Sequence, residues 1–131
     1  MKSPDKKTQQ EIELVRNALI SKEGERRLIE YLSPSINYEA KTALNNWTKK
    51  RNITLTEKQE LQALNSRWDY FYFALKKYKE KFELQEAGEE VEIYRFSEYF
   101  AWFARQGVTK YLTENHGPNP DDYWFFDKNL K

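Results

Sequence analysis

The sequence predicts an all-α fold, a compact five-helix domain with a long central helix and an irregular aromatic C-terminal tail. Three observations predict it. Apolar residues recur three and four apart through most of the chain, the period of a helix with one buried face. Only four Gly and four Pro occur, too few to turn the many short strands of an all-β design. The length, 131 residues, suits one hydrophobic core rather than two. One domain over residues 1–131 is therefore expected: N-terminal helices over 1–55, a helical pair over 56–116 with an acidic insertion at 83–92, and a tail over 117–131.

The elements follow in order. Residues 8–21 read as an amphipathic helix with Ile12, Val15 and Leu19 inward, broken at Lys22-Glu23-Gly24. A short helix is predicted over 25–32. Ser33 and Pro34 suit the N-cap and first position of the next, whose stripe is Ile36, Ala40, Leu44 and Trp47. Thr56 with Gln59 three residues on has the form of a capping box. From there Leu61, Leu64, Trp68, Phe71, Leu75, Tyr78 and Phe82 alternate steps of three and four, predicting one continuous helix as the spine. Residues 83–92 are rich in Glu and read as a loop or frayed helix end. A last helix is predicted over 96–115, ended by His116-Gly117-Pro118. The tail holds Tyr123, Trp124, Phe125 and Phe126 without helical period, and is expected to fold back over the aromatic surface of the domain.

Composition narrows the function. Lys and Arg number 22 against 21 Asp and Glu, a net charge of +1, so indiscriminate coating of nucleic acid is not expected. Zero Cys and one His exclude disulfide scaffolds, thiol catalysis and the usual zinc sites. No metal or cofactor is expected. The lack of Cys suits a cytoplasmic protein. No signal-peptide pattern opens the chain and no apolar run has the length of a membrane span. No nucleophile–base pairing or Gly-rich phosphate loop is found, so an enzyme with a small-molecule substrate is not expected. His116 reads as a helix-end residue, Glu89-Glu90 and Asp121-Asp122 as solvated acids, and the lysine run at 76–81 as the wet face of a helix, with phosphate contact as the alternative.

The positive signal is aromatic. Rings make up 16% of the chain, and 13 of them fall between Trp68 and Phe103. On the last helix Phe96, Tyr99, Phe100, Phe103, Ala104, Gly107 and Tyr111 share one face. Trp102, Gln106 and Thr109 share a flank beside it, which is expected to be exposed above a buried Phe100 and Ala104. Core packing and base contact are both open to Phe96, Tyr99 and Phe103.

Residues 94–110 resemble the promoter-reading helix of bacterial sigma-70 factors, conserved region 2. Tyr94, Phe96, Ser97, Tyr99, Trp102, Arg105, Gln106 and Thr109 match that pattern without a gap, and Arg95, Phe103, Val108 and Lys110 are close substitutions. A weaker resemblance covers Ala74-Leu75-Lys76-Lys77-Tyr78, similar to the end of the family's polymerase-binding helix. The resemblance implies transcription initiation: DNA binding at a single-stranded or forked −10-like element, with RNA polymerase as partner. By it Tyr94, Phe96 and Tyr99 would hold unstacked bases. Trp102 and Phe103 would wedge at the edge of melted DNA, and Gln106 and Thr109 would read the last base pair. Arg95, Arg105 and Lys110 are open to phosphates or internal ion pairs. The chain departs from the family at Gln62-Ala63-Leu64-Asn65-Ser66-Arg67, where the polymerase-docking motif would fall. It departs also in the acidic insertion, in Glu98 and Phe100, and in lacking a −35-reading domain after Lys110. The competing expectation is a protein-interaction module of a phage or mobile element that mimics the fold without binding DNA. A helical oligomer with interfacial aromatics is a third.

Overall fold

Asp5 starts the first helix, α1 (Lys6–Ile20): its carboxylate accepts the Thr8 backbone N–H at 2.7 Å, satisfying one of the free donors of the first turn. The computed structural model describes residues 5–117. The tail cluster Tyr123, Trp124, Phe125 and Phe126, its expected fold-back, and Asp121-Asp122 lie outside the described residues.

One extended residue, Ser21, separates α1 from α2 (Lys22–Arg51), and its Oγ accepts the Gly24 N–H at 3.0 Å. The predicted break at residues 22–24 is thus the first turn of α2. Gly24 lets the helices pack closely, because a Cβ there would lie 2.2 Å from the Asn17 carbonyl oxygen. Ala18 is buried on α1, while Leu19, expected inward, is exposed.

The two helices expected over 25–32 and 34–51 are one. Pro34 sits inside α2 and forgoes a helical hydrogen bond, a cost of about 3 kcal/mol in a regular helix. Burial overrides it: Leu28, Leu32, Ile36, Ala40, Leu44 and Trp47 run as one buried stripe through the proline. Ser33 turns from the expected N-cap role and donates its hydroxyl to the Ile29 carbonyl at 2.7 Å. Asn52 ends α2 in the left-handed conformation, φ 53°, one of the few residue types that tolerates it.

The predicted spine helix is absent. The capping box forms, with Thr56 and Gln59 exchanging both hydrogen bonds, but α3 (Glu57–Asn65) stops at a 3₁₀ turn over Ser66–Trp68. The chain resumes as α4 (Phe71–Glu86). Leu61 is 60% exposed, so the apolar seam is not one buried line. The cause lies on the last helix, α5 (Phe96–His116). A Cβ on its Gly107 would meet the Ser66 carbonyl oxygen at 2.2 Å, so the 3₁₀ turn lays its backbone directly on α5. Asn65, Ser66 and Asp69 weaken the helix at that point, since their side chains compete for backbone hydrogen bonds.

The central element is α5, which packs against every other helix and the 3₁₀ turn. Its first half joins α1, α4 and the start of α2 in one cluster. Its second half joins α3 and the end of α2 in another. Phe100 anchors the first cluster, stacked on Trp68 at 5.6 Å and Phe96 at 5.9 Å and edge-on to Phe71 at 5.5 Å. Residues 87–95 connect α4 to α5, turning at Gly88 with φ 92°. Among the described residues there is no strand, and no helix is long and apolar enough to cross a membrane.

Candidate nucleic-acid interface

The start of α5 has no side-chain cap of its own, because its N-cap position is Arg95. Glu11 of α1 supplies one from 86 residues away. Its fully buried carboxylate accepts the Ser97 N–H at 2.6 Å, the Ser97 hydroxyl at 2.9 Å and the Tyr31 hydroxyl at 2.7 Å. The Arg95 Nε and Nη2 groups donate to the same oxygen as Tyr31 at 3.2 and 3.1 Å. A negative charge at a helix N-terminus is favoured by the free N–H groups there. The ion pair balances it, and the hydrogen bond to Glu11 raises the Arg95 guanidinium above its ordinary value.

With α5 so fixed, its flank and α4 build an aromatic surface. Buried Phe103 lies at its centre. Tyr70, Phe73, Tyr99 and Trp102 surround it with ring centroids 6.3, 5.7, 5.3 and 5.0 Å away. Phe73 is 45% exposed, and Tyr70, Tyr99 and Trp102 are half-buried. Three ammonium groups lie over these rings: Lys77 over Phe73 at 5.7 Å, Lys81 over Tyr99 at 5.5 Å and Lys110 over Tyr70 at 5.9 Å. Each is a cation–π contact at an open site. Burial first, then Glu80, pushes the Tyr99 hydroxyl pKa up. The hydrogen bond to Tyr70 raises Lys110 and keeps it charged.

The ten residues singled out from the sequence fall into different settings. Tyr99, Trp102 and Lys110 meet in this surface; Phe103, only 7% exposed, lies in the core beneath it, so of its two open roles the structure has it packed. Thr109 is half-buried on the same helix. Tyr94 is exposed just before α5. Its carbonyl accepts the Tyr78 hydroxyl at 2.6 Å and its own hydroxyl donates to Glu92 at 3.1 Å. Phe96 is wholly buried between Phe100 and Tyr78, so of its two open roles the structure has it in the core. Arg95 and Arg105 form internal ion pairs, with Glu11 and, at 2.7 Å, with Glu39. Gln106 corrects the expectation of an exposed flank: it is only 8% exposed, and its Oε1 is buried without a hydrogen-bond partner among the described residues. Phe100 and Ala104 are buried as expected.

Sequence reasoning passed over Tyr70 and Phe73. It read the lysine run as the wet face of a helix, with phosphate contact as the alternative; Lys77 and Lys81 lie over aromatic rings. The signal was present: Tyr70, Phe73 and Lys77 recur at helical spacing outside the buried stripe. Glu11 carried no such signal. No group of His, Cys, Asp or Glu among the described residues could hold a metal ion. No family model, curated protein or solved structure matches this chain.

Proposed function

We propose that the protein binds melted or single-stranded DNA on the Tyr70–Phe73–Tyr99–Trp102 surface, as a sigma-like factor acting with RNA polymerase at a −10-like element. The observation that supports this reading most is a set of partly exposed rings bordered by three lysines. Every base has a π-face, so such rings bind unstacked bases with about 1–3 kcal/mol each. The lysine heads leave the ring faces as bases arrive and pair with phosphates instead. Trp102 and Phe103 sit edge to face at 5.0 Å, a rigid pair suited to the fork of a melted duplex. The resemblance of residues 94–110 to sigma region 2 points to the same chemistry from the sequence side.

A second reading, a protein-interaction module, has its own support. Arg95 and Arg105 are engaged internally, and acids stand among the cations: Glu80 lies 3.8 Å from Lys77 and Glu114 4.0 Å from Lys110. Exposed Glu98 adds to them. The two readings part in one titration. Labelled forked and fully paired DNA of the same A/T-rich sequence are titrated with the protein, with and without core RNA polymerase. Tighter binding to the fork, weakened in Trp102→Ala, supports the DNA reading. Equal binding to both, with Trp102→Ala unchanged, supports the interaction module.

A further inference from the structure

Asp69 and Tyr70 join the 3₁₀ turn to α4. With Gly107, Lys110, Tyr111 and Glu114, which share one side of α5, they line a cavity of about 170 Å³. The cavity adjoins the aromatic surface, because Tyr70 and Lys110 belong to both. A strand laid on that surface therefore has a base within reach of it.

Charge decides what enters. Two carboxylates stand against one ammonium, so a phosphate is repelled and a neutral group rich in N–H donors is favoured. The two carboxylates are not equivalent. Glu114 lies 4.0 Å from the Lys110 ammonium, whereas exposed Asp69 forms no ion pair among the described residues. Burial pushes the Asp69 pKa up, and a hydrogen bond with Ser66 and the Lys110 charge oppose it. A carboxylate offers about four acceptor positions, so Asp69 keeps most of its own open.

We propose that this cavity takes one unstacked base of the bound strand and that Asp69 selects guanine there. The inference rests on the DNA reading of the aromatic surface. Guanine alone presents two adjacent donors on its Watson–Crick edge, N1–H and the 2-amino group, which match the two oxygens of a carboxylate. Adenine and cytosine set a ring acceptor beside their amino group, and thymine sets a carbonyl on each side of N3–H. Each of these turns a lone pair toward Asp69. Tyr70 and Tyr111 supply rings for the base to stack on. Lys110 meets the phosphate of the same nucleotide, the role it has at the edge of the surface. The size suits one base, since pockets for drug-sized ligands run to roughly 300–1,000 Å³.

The test uses labelled single-stranded thymine octamers with guanine, hypoxanthine, adenine or cytosine at one central position, titrated with the full chain. The guanine strand is expected to bind about tenfold more tightly than the all-thymine strand. The adenine and cytosine strands bind about as the all-thymine strand does. Hypoxanthine, which lacks the 2-amino group, binds about threefold more weakly than guanine, and this comparison reads the contact in the wild-type protein. Asp69→Asn abolishes the preference for guanine. The ratio between strands is read, because loss of a negative charge alters the affinity of every strand alike. Saturable binding with equal affinity for all five strands, or a guanine preference unchanged in Asp69→Asn, overturns the guanine site and leaves the surface reading standing. No saturable binding of any strand overturns both. In that case saturation by arginine amide, whose guanidinium has the same paired donors, assigns the cavity to a protein partner.

Discussion

The Glu11 carboxylate accepts the Ser97 backbone N–H at 2.6 Å and so fixes the start of α5 to α1. It gathers Ser97, Arg95 and Tyr31 around one fully buried side chain. Glu11→Ala leaves all three without their acceptor and is expected to destabilise the fold by about 3–5 kcal/mol. Glu11→Gln keeps an acceptor for Ser97 and is expected to lose about 1–3 kcal/mol. Urea midpoints measure both; a Glu11→Ala midpoint equal to the wild type contradicts the role given to this carboxylate.

Stability is expected to fall in alkali. Burial pushes the Tyr78 and Tyr31 hydroxyls above their ordinary value of 10.0, with Glu11 adding to both. The folded state therefore keeps protons that the unfolded chain releases above about pH 10. The contribution is full below that pH and is lost as pH rises through the folded-state values. Urea unfolding at pH 8 and at about pH 11 tests this. Tyr78→Phe should show a shallower fall, after losing about 1 kcal/mol at pH 8 with its bond to the Tyr94 carbonyl. A fall no shallower in Tyr78→Phe would count against it.

Gly107→Ala pits propensity against contact. Alanine favours a helix interior by about 1 kcal/mol over glycine. The added Cβ would lie 2.2 Å from the Ser66 carbonyl oxygen, a backbone atom that moves only with the 3₁₀ turn. The contact wins, and a net loss of about 1–3 kcal/mol is expected. Thermal unfolding of the variant checks the sign; a raised midpoint would show that the turn does not press on α5.

Much of the fold is legible in the sequence, and the failures have identifiable causes. The start of α5 at Phe96, the Thr56–Gln59 capping box and the inward stripe of α4 follow from local spacing. The break after Asn65 does not, because the 3₁₀ turn preserves the order of apolar residues while rotating them. Pro34 misleads for the opposite reason: a local stop signal is overruled by burial of Leu32 and Ile36 on either side of it. In the candidate site, Trp102 and Tyr99 are found from spacing and resemblance, but Gln106 reads as exposed although it is only 8% exposed, because the buried part of α5 extends past the apolar stripe to this position. Glu11 was illegible because its partners lie 20 to 86 residues away along the chain.

Charge on the aromatic surface is expected to appear as salt dependence. If Lys77, Lys81 and Lys110 move to phosphates, each alanine variant lowers the slope of log K against log salt by about 0.7, the single-strand value per contact. Exposed Phe73→Ala should weaken binding by about 1–3 kcal/mol without changing that slope, since stacking releases no counter-ions. Anisotropy titrations at four salt concentrations separate the two. Uniform slopes across all four variants would remove the lysines from the interface.

The central claim is that this surface takes unstacked bases. It is tested most directly by the affinity of the wild-type protein for forked, single-stranded and paired DNA of one A/T-rich sequence, beside the Trp102→Ala protein. The account predicts that fork and single strand bind more tightly than duplex, and that Trp102→Ala loses about 1–3 kcal/mol on the fork alone. Equal affinities for all three DNAs, or a Trp102→Ala protein that binds the fork as the wild type does, would contradict it.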